Sequence, residues 1–340
     1  AYGVHSGIPL RTAAKRCPDA VFLPSDPPAY DEVSARVMAT LRAFPAVVEV
    51  LGWDEAFLGA HTADPEALAA EIREAVTERT GLSCSVGIGD NKLRAKIATG
   101  FAKPAGIYRL TRENWVAVMA GRPTDALWGI GQKTARKLAD AGLRTVADLA
   151  RADPEWLAAH CGPTLGPWYR QLALGAGGTE VTATPYVPRS HGREITFQRD
   201  LTRRRDIEDH VAALARRVAR EIAAQRRPAA RVVVKVRFAP FVTRTHGVTL
   251  PVASTDAAAI ERAARAALDR FELIRPIRLL GVRAEFGERD RGDNEVDNEV
   301  GERDRGDNEV DNEVGDQVGN QVTDEVGDQV IDEDRGDDGA

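Results

Sequence analysis

Residues 287–300 recur without a change as 301–314, and shorter four-residue echoes ending in valine follow to 330. In those echoes glycine, asparagine and acids separate the valines, so little apolar surface can leave water to offset the entropy of ordering. A disordered acidic tail is therefore expected over 287–340, which confines the foldable chain to the 286 residues before it. Aspartate and asparagine alternating with glycine suggest a calcium repeat. However, neither a twelve-residue loop closed by glutamate nor a glycine-rich nonapeptide is present.

The tail also hides the charge of the rest. The chain has 46 Lys and Arg against 52 Asp and Glu; residues 287–340 hold 21 of the acids and five of the arginines, leaving 41 cations against 31 acids. The body is thus about +10 and the tail about −16. A basic body suits a polyanion partner, although a solvated surface accounts for such an excess as well. With 43% of residues hydrophobic, two or three ordinary domains can be buried. Cys17, Cys84 and Cys161 lie far apart, which argues against a disulfide scaffold or zinc module and for a reducing compartment. No apolar run approaches the roughly 20 residues of a membrane span. The first residues are no signal peptide and contain no Met. The expectation is a cytoplasmic protein without a membrane partner, whose recorded start lies inside the natural one.

Hydrophobic periodicity divides the body. Residues 30–44 and 65–79 read as amphipathic helices, the second opened by Asp64 and Pro65. Residues 46–51 and 55–58 read as short strands around Gly52, Trp53 and Asp54; 82–88 alternates like a strand, and 91–101 continues as a helix stopped at Pro104. Mixed α and β character thus covers 1–111, and helices with short connections cover 112–178. A proline-bearing linker is expected at 179–189. Over 190–286 the order strand, helix, strand, strand, helix, strand predicts a split βαβ sheet with both helices on one face. The fold class is α+β, multidomain.

Three constellations could carry chemistry. Asp54 and Glu55, at a turn between strands, offer two hard oxygen donors suited to magnesium, or are simply solvated. Gly87 and Gly89, ahead of a lysine-bearing helix, suggest either a phosphate site at a helix N-terminus or an ordinary glycine turn. Leu127, Gly129, Ile130 and Gly131, followed by Lys133, Arg136 and Lys137, resemble a helix-hairpin-helix, whose glycines let backbone phosphates approach main-chain amides, or else form a tight helix–helix turn. The six histidines show no ligand spacing, and residues 171–174, a superficial match to a sliding-clamp peptide, fall inside a predicted helix.

Together these blocks resemble the Y-family DNA polymerases of the DNA polymerase IV (DinB) branch, over about 286 residues. Residues 2–10 with Ala13, Cys17 and Pro18 are similar to the fingers segment; 48–58 to the palm metal motif; 85–98 through 102–106 to the strongest family block. Ile130 and Gly131 are similar to the thumb, and 190–197 with 277–282 to the little finger. The resemblance implies fingers and palm at 1–111, a thumb at 112–178 and a little finger at 190–286. It also implies template-directed nucleotidyl transfer with two Mg2+ ions on lesion-tolerant terms, with primer-template DNA and deoxynucleoside triphosphates as partners. A sliding clamp is a further partner left open. Asp54 would be a metal ligand, and Glu55 the second metal-site carboxylate, near the primer terminus. Lys103 would hold the triphosphate, and Gly7 would give room at the nascent pair. Gly129, Gly131, Lys133, Arg193 and Arg278 would bind DNA. The family's first palm strand, with another metal-binding Asp, precedes Ala1, and its motif Ser is Gly52 here. A catalytically inactive DNA-binding remnant is therefore the alternative expectation.

Overall fold

The computed structural model describes residues 2–287, which fall into two compact units, 2–84 and 85–287. The tail expected at 287–340 lies, from residue 288 on, outside the described residues.

In the first unit, helix α1 (Leu10–Arg16) precedes α2 (Pro27–Leu41), strands β1 (Val47–Val50) and β2 (Ala56–Gly59), and α3 (Pro65–Thr80). Both longer helices start by one device: Asp26 accepts from Ala29 N and Asp64 from Ala67 N, with proline in the first turn, where its missing N–H costs nothing. Strands β1 and β2 form an antiparallel hairpin in which Val50 faces Ala56. Met38 and Leu41 of α2, Val48 of β1, and Ile72 and Val76 of α3 share one core. The strand expected at 82–88 is shorter. Arg73 Nε donates to the Cys84 carbonyl, taking an acceptor a longer ladder would use, and the strand begins in the second unit at Val86.

The second unit opens with β3 (Val86–Ile88), α4 (Lys92–Ala102) and β4 (Ile107–Arg109), the two strands pairing in parallel. A Cβ on Gly87 would come within 2.2 Å of Ala95 O and Thr99 N, and one on Gly89 within 2.4 Å of Ala95 N, so glycine is what lets α4 lie against β3. Five helices follow: α5 (Trp115–Met119), α6 (Gln132–Asp140), α7 (Val146–Arg151), α8 (Pro154–Cys161) and α9 (Leu165–Ala173). They close over Leu127, Leu138, Leu149 and Leu157, each about 1% exposed or less. Residues 171–173 lie inside α9 as expected, with Leu172 and Ala173 buried.

The last part is built as the sequence predicts: β5 (Ser190–Leu201), α10 (Arg204–Ala224), β6 (Ala229–Phe238), β7 (Val242–Ser254), α11 (Ala257–Leu268) and β8 (Ile277–Phe286). The sheet order is β5-β8-β6-β7, with β8 antiparallel to both neighbours, so β5 and β6 run parallel around it, a split βαβ arrangement. Val232, Val234 and Val236 of β6 and Leu280, Val282 and Ala284 of β8 face the buried sides of α10 and α11. By register, Arg231, Lys235, Arg237 and Arg283 occupy the opposite, helix-free face. Among the described residues no helix is long and apolar enough to cross a membrane, and all three cysteines are free.

Candidate active site and nucleic-acid interface

Asp54 and Glu55 sit at the end of the β1–β2 hairpin. Leu51 N and Gly52 N both donate to Glu55 O, at 2.9 and 3.3 Å, which closes a tight loop with Gly52, Trp53 and Asp54 exposed at its apex and Glu55 half-buried. The Trp53 indole N–H donates to Asp31 Oδ1 of α2 at 2.7 Å, and its ring meets Tyr30 edge-on, centroids 5.5 Å apart. Two neighbouring carboxylates are a donor set that fits a hard divalent cation completing its shell with water and phosphate oxygens. Among the described residues no group of three or more His, Cys, Asp or Glu is placed to hold a metal.

Gly7, exposed in the first unit, turns the chain at φ +84°, a conformation glycine adopts freely, with open space where a Cβ would stand. Lys103, in the second unit, ends α4 in an extended conformation with an exposed side chain.

The start of α4 favours the ordinary turn of the two readings open for Gly87 and Gly89. Its amides are not open to phosphate: Asn91 Oδ1 accepts from Arg94 N at 2.8 Å, and Lys92 N donates to Gly178 O at 2.9 Å. Asn91 Nδ2 donates to Gly175 O, pinning residues 175–178 over the same helix end. Asp90 receives Arg94 Nη1 at 2.7 Å and Arg112 N at 3.0 Å; partial burial pushes its carboxyl up, but these bonds outweigh it and hold it below the usual range. Two of the first amides of α4 are thus already engaged, and Gly87 and Gly89 serve close packing.

The hairpin before α6 is different. Gly129, at φ +104°, turns the chain where a Cβ would lie 2.7 Å from Trp168 Cη2. Gly131 is the N-cap of α6 and offers no side chain to its first amides, while Gly131, Gln132 and Lys133 are exposed. Trp128 stands exposed beside them, with Lys96 Nζ of α4 6.0 Å from its ring centroid. Main-chain donors and cations therefore converge where a phosphate backbone could lie.

Arg193 and Arg278, the two arginines expected to bind DNA, are placed unlike each other. Arg193 lies on the helix-bearing face of β5, its Nε 2.9 Å from Glu221 of α10, which His191 and Arg217 also contact. Partial burial raises the Glu221 carboxyl, yet hydrogen bonds from Arg193, His191 and Arg217 outweigh it and bring it down to about 2. Sequence reasoning missed this cluster, because its β5 members lie about 30 positions from Glu221 and only the crossing of α10 over β5 joins them. Arg278, the second residue of β8, lies beside a register shift, 3.6 Å from Asp200 and over the ring of the exposed Phe241 at 5.7 Å from its centroid.

Comparison with known proteins agrees with this layout. Residues 1–100 match the impB/mucB/samB family, residues 188–291 its C-terminal domain, and residues 126–160 a SAM-like helix-hairpin-helix tandem. DNA polymerase IV 2 of Mycobacterium tuberculosis is 53% identical over 288 residues, spanning 84% of this chain and 83% of its own. DNA polymerase IV of Methanoculleus marisnigri is 39% identical over 286 residues, spanning 83% and 79%. A solved chimera of the Y-family polymerases Dbh and Dpo4 shares the fold at TM-score 0.72 and 23% identity, over 84% of this chain and 83% of that one. A ternary complex of Dbh DNA polymerase superposes at TM-score 0.55. The chain belongs to the DNA polymerase IV (DinB-type) branch of the Y-family DNA polymerases, enzymes that are DNA-directed nucleotidyltransferases.

Proposed function

We propose that this chain extends a DNA primer on a damaged or undamaged template by lesion-tolerant nucleotidyl transfer, with primer-template DNA and deoxynucleoside triphosphates as partners. The observation that carries this reading is the 53% identity to DNA polymerase IV 2 across 84% of the chain; the hairpin bearing Asp54 and Glu55 falls within the family match at residues 1–100. Residues 1–111 then serve as fingers and palm, 112–178 as thumb, 179–189 as linker and 190–286 as little finger. A sliding clamp is a further partner that the family implies. The three free cysteines are in keeping with a cytoplasmic setting.

Each side chain has a role set by its chemistry. Asp54 and Glu55 would hold magnesium, which in the family's two-ion scheme stabilises charge on the attacking and leaving oxygens. Lys103 presents a cation to the triphosphate, and Gly7 leaves the nascent pair unobstructed. Gly129, Gly131 and Lys133 bind backbone phosphate without reading bases. Arg278 offers a guanidinium at the sheet edge. Arg193, engaged by Glu221, supports DNA binding by fixing β5 against α10.

One observation favours a second reading, a DNA-binding protein without chemistry: among the described residues the carboxylate pair has no third metal-binding partner. Primer extension in magnesium separates the two. The polymerase reading requires extension that Asp54→Ala lowers by about 10² or more, the scale expected when transition-state charge loses its stabilisation. DNA binding by this chain with no extension would establish the second.

A further inference from the structure

We propose that Asp31 and Trp53 are positioning residues that hold the Asp54–Glu55 carboxylate pair ready for its cation, an inference that rests on the metal-binding role given to that pair above. The apex of the β1–β2 hairpin is poorly constrained by its own backbone. A Cβ on Gly52 would meet nothing within 4 Å, and Gly52, Trp53 and Asp54 are all exposed. The two main-chain bonds of the loop converge on one carbonyl, that of Glu55, and so fix the base of the turn and not its tip. A side chain fixes the tip: the Trp53 N–H donates to Asp31 Oδ1 at 2.7 Å, while its ring rests edge-on against Tyr30 at 5.5 Å and 65°.

The anchor belongs to a helix packed in the core. Asp31 lies two helical turns before Met38, on the same side of α2, and Met38 and Leu41 pack with Val48 of β1 in one core. The hairpin is therefore held by α2 at both ends, through the core at its base and through Trp53 at its tip. The bond is charge-assisted and roughly twice as strong as a neutral one. The next residue after Trp53 is Asp54, so fixing the indole fixes the backbone from which that carboxylate projects. Removing the tether should weaken cation binding by about tenfold, as for other groups that orient metal ligands without touching the metal.

The test is terbium luminescence excited through tryptophan in the full chain. Energy transfer falls steeply with distance, so the part of the signal lost in Trp53→Phe reports Tb3+ bound beside Trp53, and competition from the acidic residues after 287 is the same in every variant. Asp54→Ala should abolish the Trp53-sensitised signal. Asp31→Ala should move the Tb3+ midpoint up about tenfold, while Asp31→Asn, which keeps the acceptor oxygen, should restore it to within about twofold. Trp53→Phe identifies the emission that comes from the other tryptophans. An unchanged midpoint in Asp31→Ala, with the signal lost in Asp54→Ala, overturns the tether and leaves the metal site standing. A signal untouched by Asp54→Ala overturns the metal site and the tether with it.

Discussion

Glu221 shows how much one side chain can be asked to hold. Arg193 and His191 reach it from β5 and Arg217 from its own helix, so α10 is clamped to the edge strand by a single carboxylate. Its group is brought from an ordinary 4.5 down to about 2 on folding. A lowered carboxyl contributes stability that is complete above the unfolded value and is lost as pH falls through the folded one. Glu221→Gln should therefore cost about 1–2 kcal/mol at pH 7, allowing for solvent screening of a partly exposed group. The difference between variant and parent should shrink from about pH 4.5 downward and vanish near pH 2. Urea melts followed by circular dichroism across that range measure it; a constant difference down to pH 2 would contradict the assignment. Gly129 makes the same point through sterics. At φ +104°, with Trp168 where a Cβ would go, Gly129→Ala should cost about 2 kcal/mol or more. In differential scanning calorimetry it should lower the melting temperature of the parent chain.

Among the elements, those that bury a periodic face were legible in the sequence and those defined by a distant partner were not. Helices α2, α3, α10 and α11 and the sheet β5–β8 follow from patterning, because a repeating apolar stripe has only one way to meet a core. Strand β4 was missed: three residues long, it exists only because β3 offers a parallel partner across α4. Sequence left both readings open at α4 because the chain that caps it, residues 175–178, arrives more than 80 positions later. Within the candidate site, Asp54 and Glu55 were legible as a carboxylate pair at a turn. The Trp53 tether was not, since nothing local marks Asp31 as its acceptor. The hairpin before α6 was legible because glycines and cations fall together there, and it yields a prediction at this scale. Lys133→Ala should weaken binding to duplexes of any sequence about equally and reduce the slope of log K against log salt by about 0.9. Fluorescence anisotropy over a salt series tests this; a loss confined to one sequence would mean that Lys133 reads a base.

At the scale of the whole molecule, one chain joins two bodies of charge: about +10 up to residue 286 and about −16 after it. Both would act on DNA, the first attracting the polyanion and the second competing with it as a tethered substitute. Tethering keeps the competitor at high effective concentration regardless of how dilute the protein is. Removing residues 288–340 should therefore tighten DNA binding several-fold at about 50 mM salt, chiefly through faster association, since the attraction between free partners is no longer answered from within the chain. The gain must fade as salt rises, because at about 1 M the Debye length is only about 3 Å and charges that do not touch cease to interact. The same deletion should leave the melting temperature of the body unchanged, which separates competition for DNA from a stabilising contact. Equal affinity of the two chains at low salt would show that the tail's charge does not reach the DNA-binding surfaces, and its repeats would then need a role unconnected with DNA.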